Sequence, residues 1–133
     1  MVDRKPCAGA VVHDAVGRLL VVRRARPPAA GSWSIPGGRC EPGEDPAAAC
    51  AREVTEETGL VVEVGRLIGT VERPGPGGSV YVIDDFACRL VGGALVAGDD
   101  AAEARWVSRA ELAELRLVPG LVDALTEWDV LPA

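Results

Sequence analysis

One histidine, His13, is all that this 133-residue chain has. That scarcity excludes a multi-histidine metal centre. The four cysteines, Cys7, Cys40, Cys50 and Cys88, are widely scattered and form no Cys-x-x-Cys pair. They read as small buried residues kept as reduced thiols. No apolar run approaches the ~20 residues that cross a bilayer, so no membrane span is expected. The opening MVDRKPCAGAVVHD has two basic residues, but His13 and Asp14 cut its apolar stretch short, and no signal peptide is read. Reduced thiols without an export signal predict a cytoplasmic protein. Positive charge is also short: 14 Lys and Arg face 20 Asp and Glu, a formal net charge of -6. Polynucleotide binding rests on basic patches and is not expected. Nucleotides are not excluded, because a bound cation screens their phosphates. The remaining composition, 48% hydrophobic and 26% charged, suits one globular domain over 1–133.

What the chain does have is acid at a particular spacing. Glu53, Glu56 and Glu57 stand at i, i+3 and i+4 of a predicted helix, which puts all three on one face. A like-charged pair ~6 Å apart repels by about 3 kcal/mol at an effective dielectric of ~20. A counter-cation is the economical remedy, and hard divalent cations such as Mg²⁺ take oxygen ligands. The segment therefore reads as a metal cradle, and a metal cradle suggests phosphate chemistry.

The helix itself is well signalled. Asp45 is a natural N-cap, Pro46 suits the first helical position and Gly59 is placed to end it. Cys50, Ala51, Val54 and Thr58, with Ala47, form a small-residue face for packing on a sheet. Ala49, on the acidic arc, is expected to leave room for a ligand. Before the helix, Cys7 to His13 and Leu19 to Arg24 read as strands joined by a turn at Asp14–Gly17. A loop through Pro27-Pro28 and Gly31 follows, then Trp33-Ser-Ile-Pro-Gly-Gly38 as a short strand running into a tight turn. After it, Val61 to Val71 and Val80 to Leu90 read as strands around Arg73-PGPGG-Ser79. Ala94–Ala97 is a candidate edge strand, and Ala104–Val107 a further short strand. Ser108 and Glu111 form a capping box, and Pro119 opens a last helix reaching about Trp128. Mixed strands with helices on both sides predict an α/β sandwich over a mixed sheet.

The acidic segment resembles the signature of the Nudix hydrolase family at every defining position. The pattern is Gly, five residues, Glu, seven residues, then Arg-Glu-aliphatic-x-Glu-Glu-x-Gly-aliphatic. Here it is carried by Gly38, Glu44, Arg52, Glu53, Val54, Glu56, Glu57, Gly59 and Leu60. A chance match in a chain this long is on the order of one in a million at average residue frequencies. The lead-in Trp33–Gly38 and the downstream Glu103-Ala-Arg-Trp-Val107 are similar too, so the resemblance covers essentially the whole chain. It implies the Nudix α/β/α sandwich, with Mg²⁺ or Mn²⁺ as cofactor. It also implies hydrolysis of a nucleoside diphosphate linked to another moiety. It leaves a homodimer open, since family members are often dimers and no interface is legible here.

By the same resemblance, Glu53, Glu56, Glu57 and the Gly37 carbonyl are metal ligands, and Glu53 is a candidate base for the attacking water. The alternative for the acids is a solvated helix face. Arg52 would orient the carboxylates or touch phosphate, unless it makes an ordinary surface ion pair. Glu44 would ligate a second ion or pair with Arg52. In some members the base lies outside the signature, which makes Asp99, Asp100 and Glu103 candidates. For the two aspartates a turn role competes, and for Glu103 a metal role. Arg23 or Arg24 would contact phosphate; strand alternation allows only one of them on the site face, and Arg23 is favoured. Trp33 would stack on a base or pack in the core, and Gly38 would lie against the substrate.

The substrate is less legible. Pro74 and Pro76 stand near the place where ADP-ribose-cleaving members often carry a proline. Val80–Cys88, Gly98–Asp100 and Ala104–Val107 resemble the small ADP-ribose pyrophosphatase branch. ADP-ribose or a nucleotide sugar is the first expectation. A triphosphatase removing oxidised nucleotides is the second, and a non-catalytic nucleotide-binding domain the third.

Overall fold

The computed structural model describes residues 1–26, 29–98 and 101–133. Pro27 and Pro28 of the expected loop, and the candidates Asp99 and Asp100, lie outside the described residues. Strands β1 (Arg4–Val12), β2 (Leu19–Arg24), β3 (Trp33–Ser34) and β4 (Gly37–Arg39) precede helix α1 (Pro46–Thr58). Then come β5 (Leu60–Pro74), β6 (Val80–Gly93), β7 (Ala101–Val107), α2 (Arg109–Glu114) and α3 (Leu121–Glu127).

Four strands form a mixed sheet in the order β4-β1-β6-β5, with β1 and β6 parallel and the outer pairs antiparallel. A smaller antiparallel sheet runs β3-β2-β7. Period-two alternation divides the core between two layers. On one face Ala8, Ala10, Val12 and Leu20 pack under Ala49, Cys50 and Val54 of α1. On the other, Val11, Leu19, Val21 and Trp33 meet Leu112 of α2 and Leu121 and Leu125 of α3. Fully burying one such Leu or Val contributes about 1.5–3 kcal/mol. The result is the expected α/β/α sandwich over a mixed sheet.

The caps of α1 follow the sequence. Asp45 accepts from the Ala48 N–H, Pro46 opens the first turn, and Gly59 closes the helix in the left-handed region at φ 74°. The Ser108–Glu111 capping box on α2 is reciprocal. Other expectations need correction. Ala94–Ala97 forms no strand: its chain satisfies the carbonyls that α1 leaves open, with Val96 N–H donating to Thr58 O and Gly98 N–H to Glu57 O. The last helix begins at Leu121 rather than Pro119, because Gly120 turns through φ 83° before it. Ala49 is fully buried in the core and offers no space to a ligand. The strands β5 and β6 run longer than expected and pair as one hairpin through Pro74 and Val80.

Candidate functional site

The acidic face of α1 rests on the glycine strand β4. Glu57, 8% exposed, accepts a hydrogen bond from the Gly37 N–H at 2.8 Å. Glu53 lies against Gly38, where an added Cβ would come within 2.7 Å of its carboxyl carbon. Gly38 is therefore required by close approach, and β4 pairs with β1 at Gly9↔Gly37 and Ala8↔Gly38. Glu56 stands one turn along and is half-exposed.

Arg52 organises the group. Its guanidinium holds Glu44 through two parallel bonds, Nε to Oε2 and Nη2 to Oε1, both 2.8 Å. Its Nη1 reaches Glu53 at 2.9 Å and Glu56 at 3.1 Å. The same group donates to the Arg39 carbonyl and lies 3.9 Å from Glu41. The Arg52 hydrogen bonds, helped by the Glu41 N–H, hold the Glu44 carboxyl down at about 2. Arg52 is pushed above its ordinary value, chiefly by Glu44. Glu44 is thus placed in the ion pair, and the two alternatives for Arg52 merge: it is an ion pair, and it orients the carboxylates.

The chemistry of the donors suits a hard divalent cation. Glu53, Glu56 and Glu57 offer carboxylate oxygens, Gly37 a carbonyl, and the missing side chain of Gly38 leaves the cradle open. Among the described residues no three acids converge into a ready-made cage. Glu53 and Glu56 are instead drawn toward Arg52.

A cleft of about 480 Å³ opens beside this helix. Its wall includes Cys7, Gly9 and Gly37–Arg39, together with Arg73, Pro74, Tyr81, Ile83 and Asp85. Leu121, Ala124 and Trp128 cover it from the α3 layer. The cleft thus includes the two glycines against which Glu53 and Glu57 lean.

Two expected substrate contacts, Arg23 and Trp33, and one expected metal ligand, Glu103, stand elsewhere. Arg24 rather than Arg23 lines the cleft. Arg23 faces Glu103 at 3.7 Å. Trp33 is 5% exposed and belongs to the core, with the Arg105 guanidinium 4.7 Å over its ring. Glu103 is taken by Arg105 at 2.7 Å, which with Arg23 holds its carboxyl below the usual range. No hydrogen bond or ion pair among the described residues joins Glu103 to the acids of α1. His13 bridges to Leu19 just past β1 rather than lying in the turn, and its Nε2 is 2.9 Å from the Val130 carbonyl.

Sequence reasoning missed Gly9, Arg73, Asp85 and Trp128. One signal was present: Asp85 continues the Tyr81, Ile83 stripe of a strand, where Asp is disfavoured. The thiols are free, with Cys7 and Cys50 buried and Cys40 and Cys88 half-buried.

An acidic helix is thus seated on a glycine strand beside a cleft within an α/β/α sandwich. The NUDIX domain model matches residues 3–128, and the chain belongs to the Nudix hydrolase family. It is 39% identical over 100 residues to an ADP-ribose pyrophosphatase of Methanocaldococcus jannaschii, covering 74% of this chain and 59% of that protein. It is 37% identical over 124 residues to a putative 8-oxo-dGTP diphosphatase 2 of Mycobacterium tuberculosis, covering 90% and 83%. The solved MutT protein of Methanosarcina mazei superposes with a TM-score of 0.82 at 25% identity, covering 96% of this chain and 94% of that one.

Proposed function

We propose that this protein hydrolyses the pyrophosphate of a nucleoside diphosphate derivative, with ADP-ribose or a nucleotide sugar as its substrate. The observation that carries the reading is the meeting of cleft and acids at Gly37–Gly38. It would seat a nucleoside in the cleft with its phosphates toward Glu53, Glu56 and Glu57. These carboxylates and the Gly37 carbonyl would hold Mg²⁺ or Mn²⁺, which neutralises phosphate charge and acidifies water when bound. Glu53 is the base in this reading, taking the proton of the attacking water. That water adds to one phosphorus, the bridging P–O bond breaks, and two phosphate monoesters leave. Arg52 keeps Glu53 and Glu56 oriented. Arg24, on the cleft wall, replaces Arg23 as the phosphate contact.

The relatives divide between ADP-ribose and 8-oxo-dGTP, so a nucleoside triphosphatase is the second reading. Product analysis with ADP-ribose, nucleotide sugars, dNTPs and oxidised dGTP separates them. AMP plus ribose 5-phosphate supports the first. Nucleoside monophosphate plus pyrophosphate from a triphosphate moves the assignment to the second. Silence on every substrate leaves a non-catalytic nucleotide-binding domain. No helix among the described residues is long and apolar enough to cross a membrane. A cytoplasmic location belongs to the same proposal. So does a homodimer, for which the β5–β6 hairpin exposes Val61, Leu67 and Val91; sedimentation at several concentrations decides it.

A further inference from the structure

Asp85 is the one carboxyl on the cleft wall among the described residues, and the proposed reaction does not use it. It is 5% exposed, and no hydrogen bond or ion pair among the described residues reaches it. Its oxygens are not sealed in the interior, so they face the cleft. A buried carboxyl without a donor costs stability unless something else supplies one. The strands on either side make room for it. Its register partners are Gly9 on β1 and Gly69 on β5. A side chain at Gly9 would collide with the Asp85 carboxylate, and one at Gly69 would fall 2.6 Å from Cε2 of the Trp128 indole. Both glycines therefore serve this niche: one seats the carboxyl, the other lets the indole lie close beside it. Ile35 and Ile83 supply apolar wall.

A flat aromatic face beside a buried acceptor matches a heterocycle with N–H donors on its edge. We propose that Asp85, with Trp128 as the platform, reads the amino-bearing edge of a purine base, the specificity element of the proposed nucleotide hydrolase. The inference rests on that function for its role, but not for its test. Neutral, the carboxyl gives adenine one donor and one acceptor. Ionised, it accepts two N–H groups from guanine. Hypoxanthine lacks the exocyclic amino group of either.

The test is calorimetric titration of the intact protein with AMP, GMP and IMP, for the wild type and for Asp85→Ala. The wild type should bind one of the two amino purines about 10- to 100-fold tighter than IMP. Asp85→Ala should bring that ratio close to one while circular dichroism remains native. Asp85→Asn separates the bases: an amide keeps a donor and an acceptor for adenine but loses the second acceptor oxygen that the N1–H and amino group of guanine would use, so a guanine preference should fall and an adenine preference should stay. Preference for the amino purine retained in Asp85→Ala overturns the proposal. So does a wild type that binds IMP as tightly as the better amino purine, or binds none of the three. Amino preference without hydrolysis of any substrate sinks the enzymatic reading and leaves the base-reading role standing. Hydrolysis without the preference does the reverse.

Discussion

Replacing Asp85 by Asn should make the protein more stable, and the gain should grow with pH. Burial is the main cause that pushes the Asp85 carboxyl up from 3.8 to about 7. Arg73 on β5 opposes the shift, and Asp84 on β6 adds to it. Cys50 of α1, the other titratable group coupled to it, is itself raised far above this range. Gly9 and Ile35 present no charge. The folded value lies above the unfolded one, so the folded state keeps a proton that the unfolded chain has released between pH 4 and 7. The contribution of this group to stability is therefore greatest below pH 4, falls through this window, and levels off above 7. A shift of about 3 units at 1.36 kcal/mol each gives a penalty of about 4 kcal/mol at pH 8. Two of those units lie between pH 5 and 7, about 3 kcal/mol. The amide of the Asp85→Asn variant keeps the shape without the titration. Urea unfolding at pH 5, 6, 7 and 8 should show the variant gaining on the wild type by roughly 3 kcal/mol across the series. A stability difference that stays constant with pH would refute the reasoning, and so would one that shrinks.

Other substitutions test the acidic helix. Gly38→Ala adds a methyl where the Glu53 carboxylate now lies, so activity should fall by about tenfold or more with little change in Tm; unchanged turnover means Glu53 has no fixed place in the reaction. Glu53→Gln keeps shape and removes the base, and kcat should fall at least ~100-fold, with an unchanged kcat removing it from the mechanism. Glu57→Gln should raise the Mg²⁺ concentration needed for half-maximal activity, and a fixed Mg²⁺ dependence would exclude it as a ligand. Arg52→Lys loses the paired hydrogen bonds to Glu44 and should lower kcat about tenfold, while a wild-type kcat would reduce Arg52 to surface charge.

What was legible in the sequence was whatever depends on neighbours along the chain. Asp45, Pro46 and Gly59 bound α1 because capping is local. The i, i+3, i+4 spacing put Glu53, Glu56 and Glu57 on one face because helix geometry is fixed. The layers followed from alternation in β1 and β2. The cleft was less legible because it depends on register between distant strands. Alternation allowed only one of Arg23 and Arg24 on the site face, and it is Arg24 that lines the cleft. Asp85 gains its niche from glycines on two other strands, and Trp128 crosses from the C-terminal layer. Trp33 was ambiguous for the opposite reason, since an aromatic residue suits a core and a stacking platform equally until its neighbours are known.

The acids of α1 also have a cation on their own helix, Arg52, expected from the sequence to orient them. Arg52 lies within 4 Å of Glu41, Glu44, Glu53 and Glu56, so a single guanidinium serves four carboxylates. That group still holds three net negative charges, before Glu57 is added. One fork cannot satisfy four partners equally, and its best geometry goes to Glu44. Glu53 and Glu56 share the remaining nitrogen at longer range. Glu44 therefore anchors Arg52, and Arg52 steers the two acids of the reacting face without matching their charge. The arrangement favours a divalent cation over a second basic residue: it would take oxygen from several carboxylates at once, while Glu44 keeps the guanidinium in place.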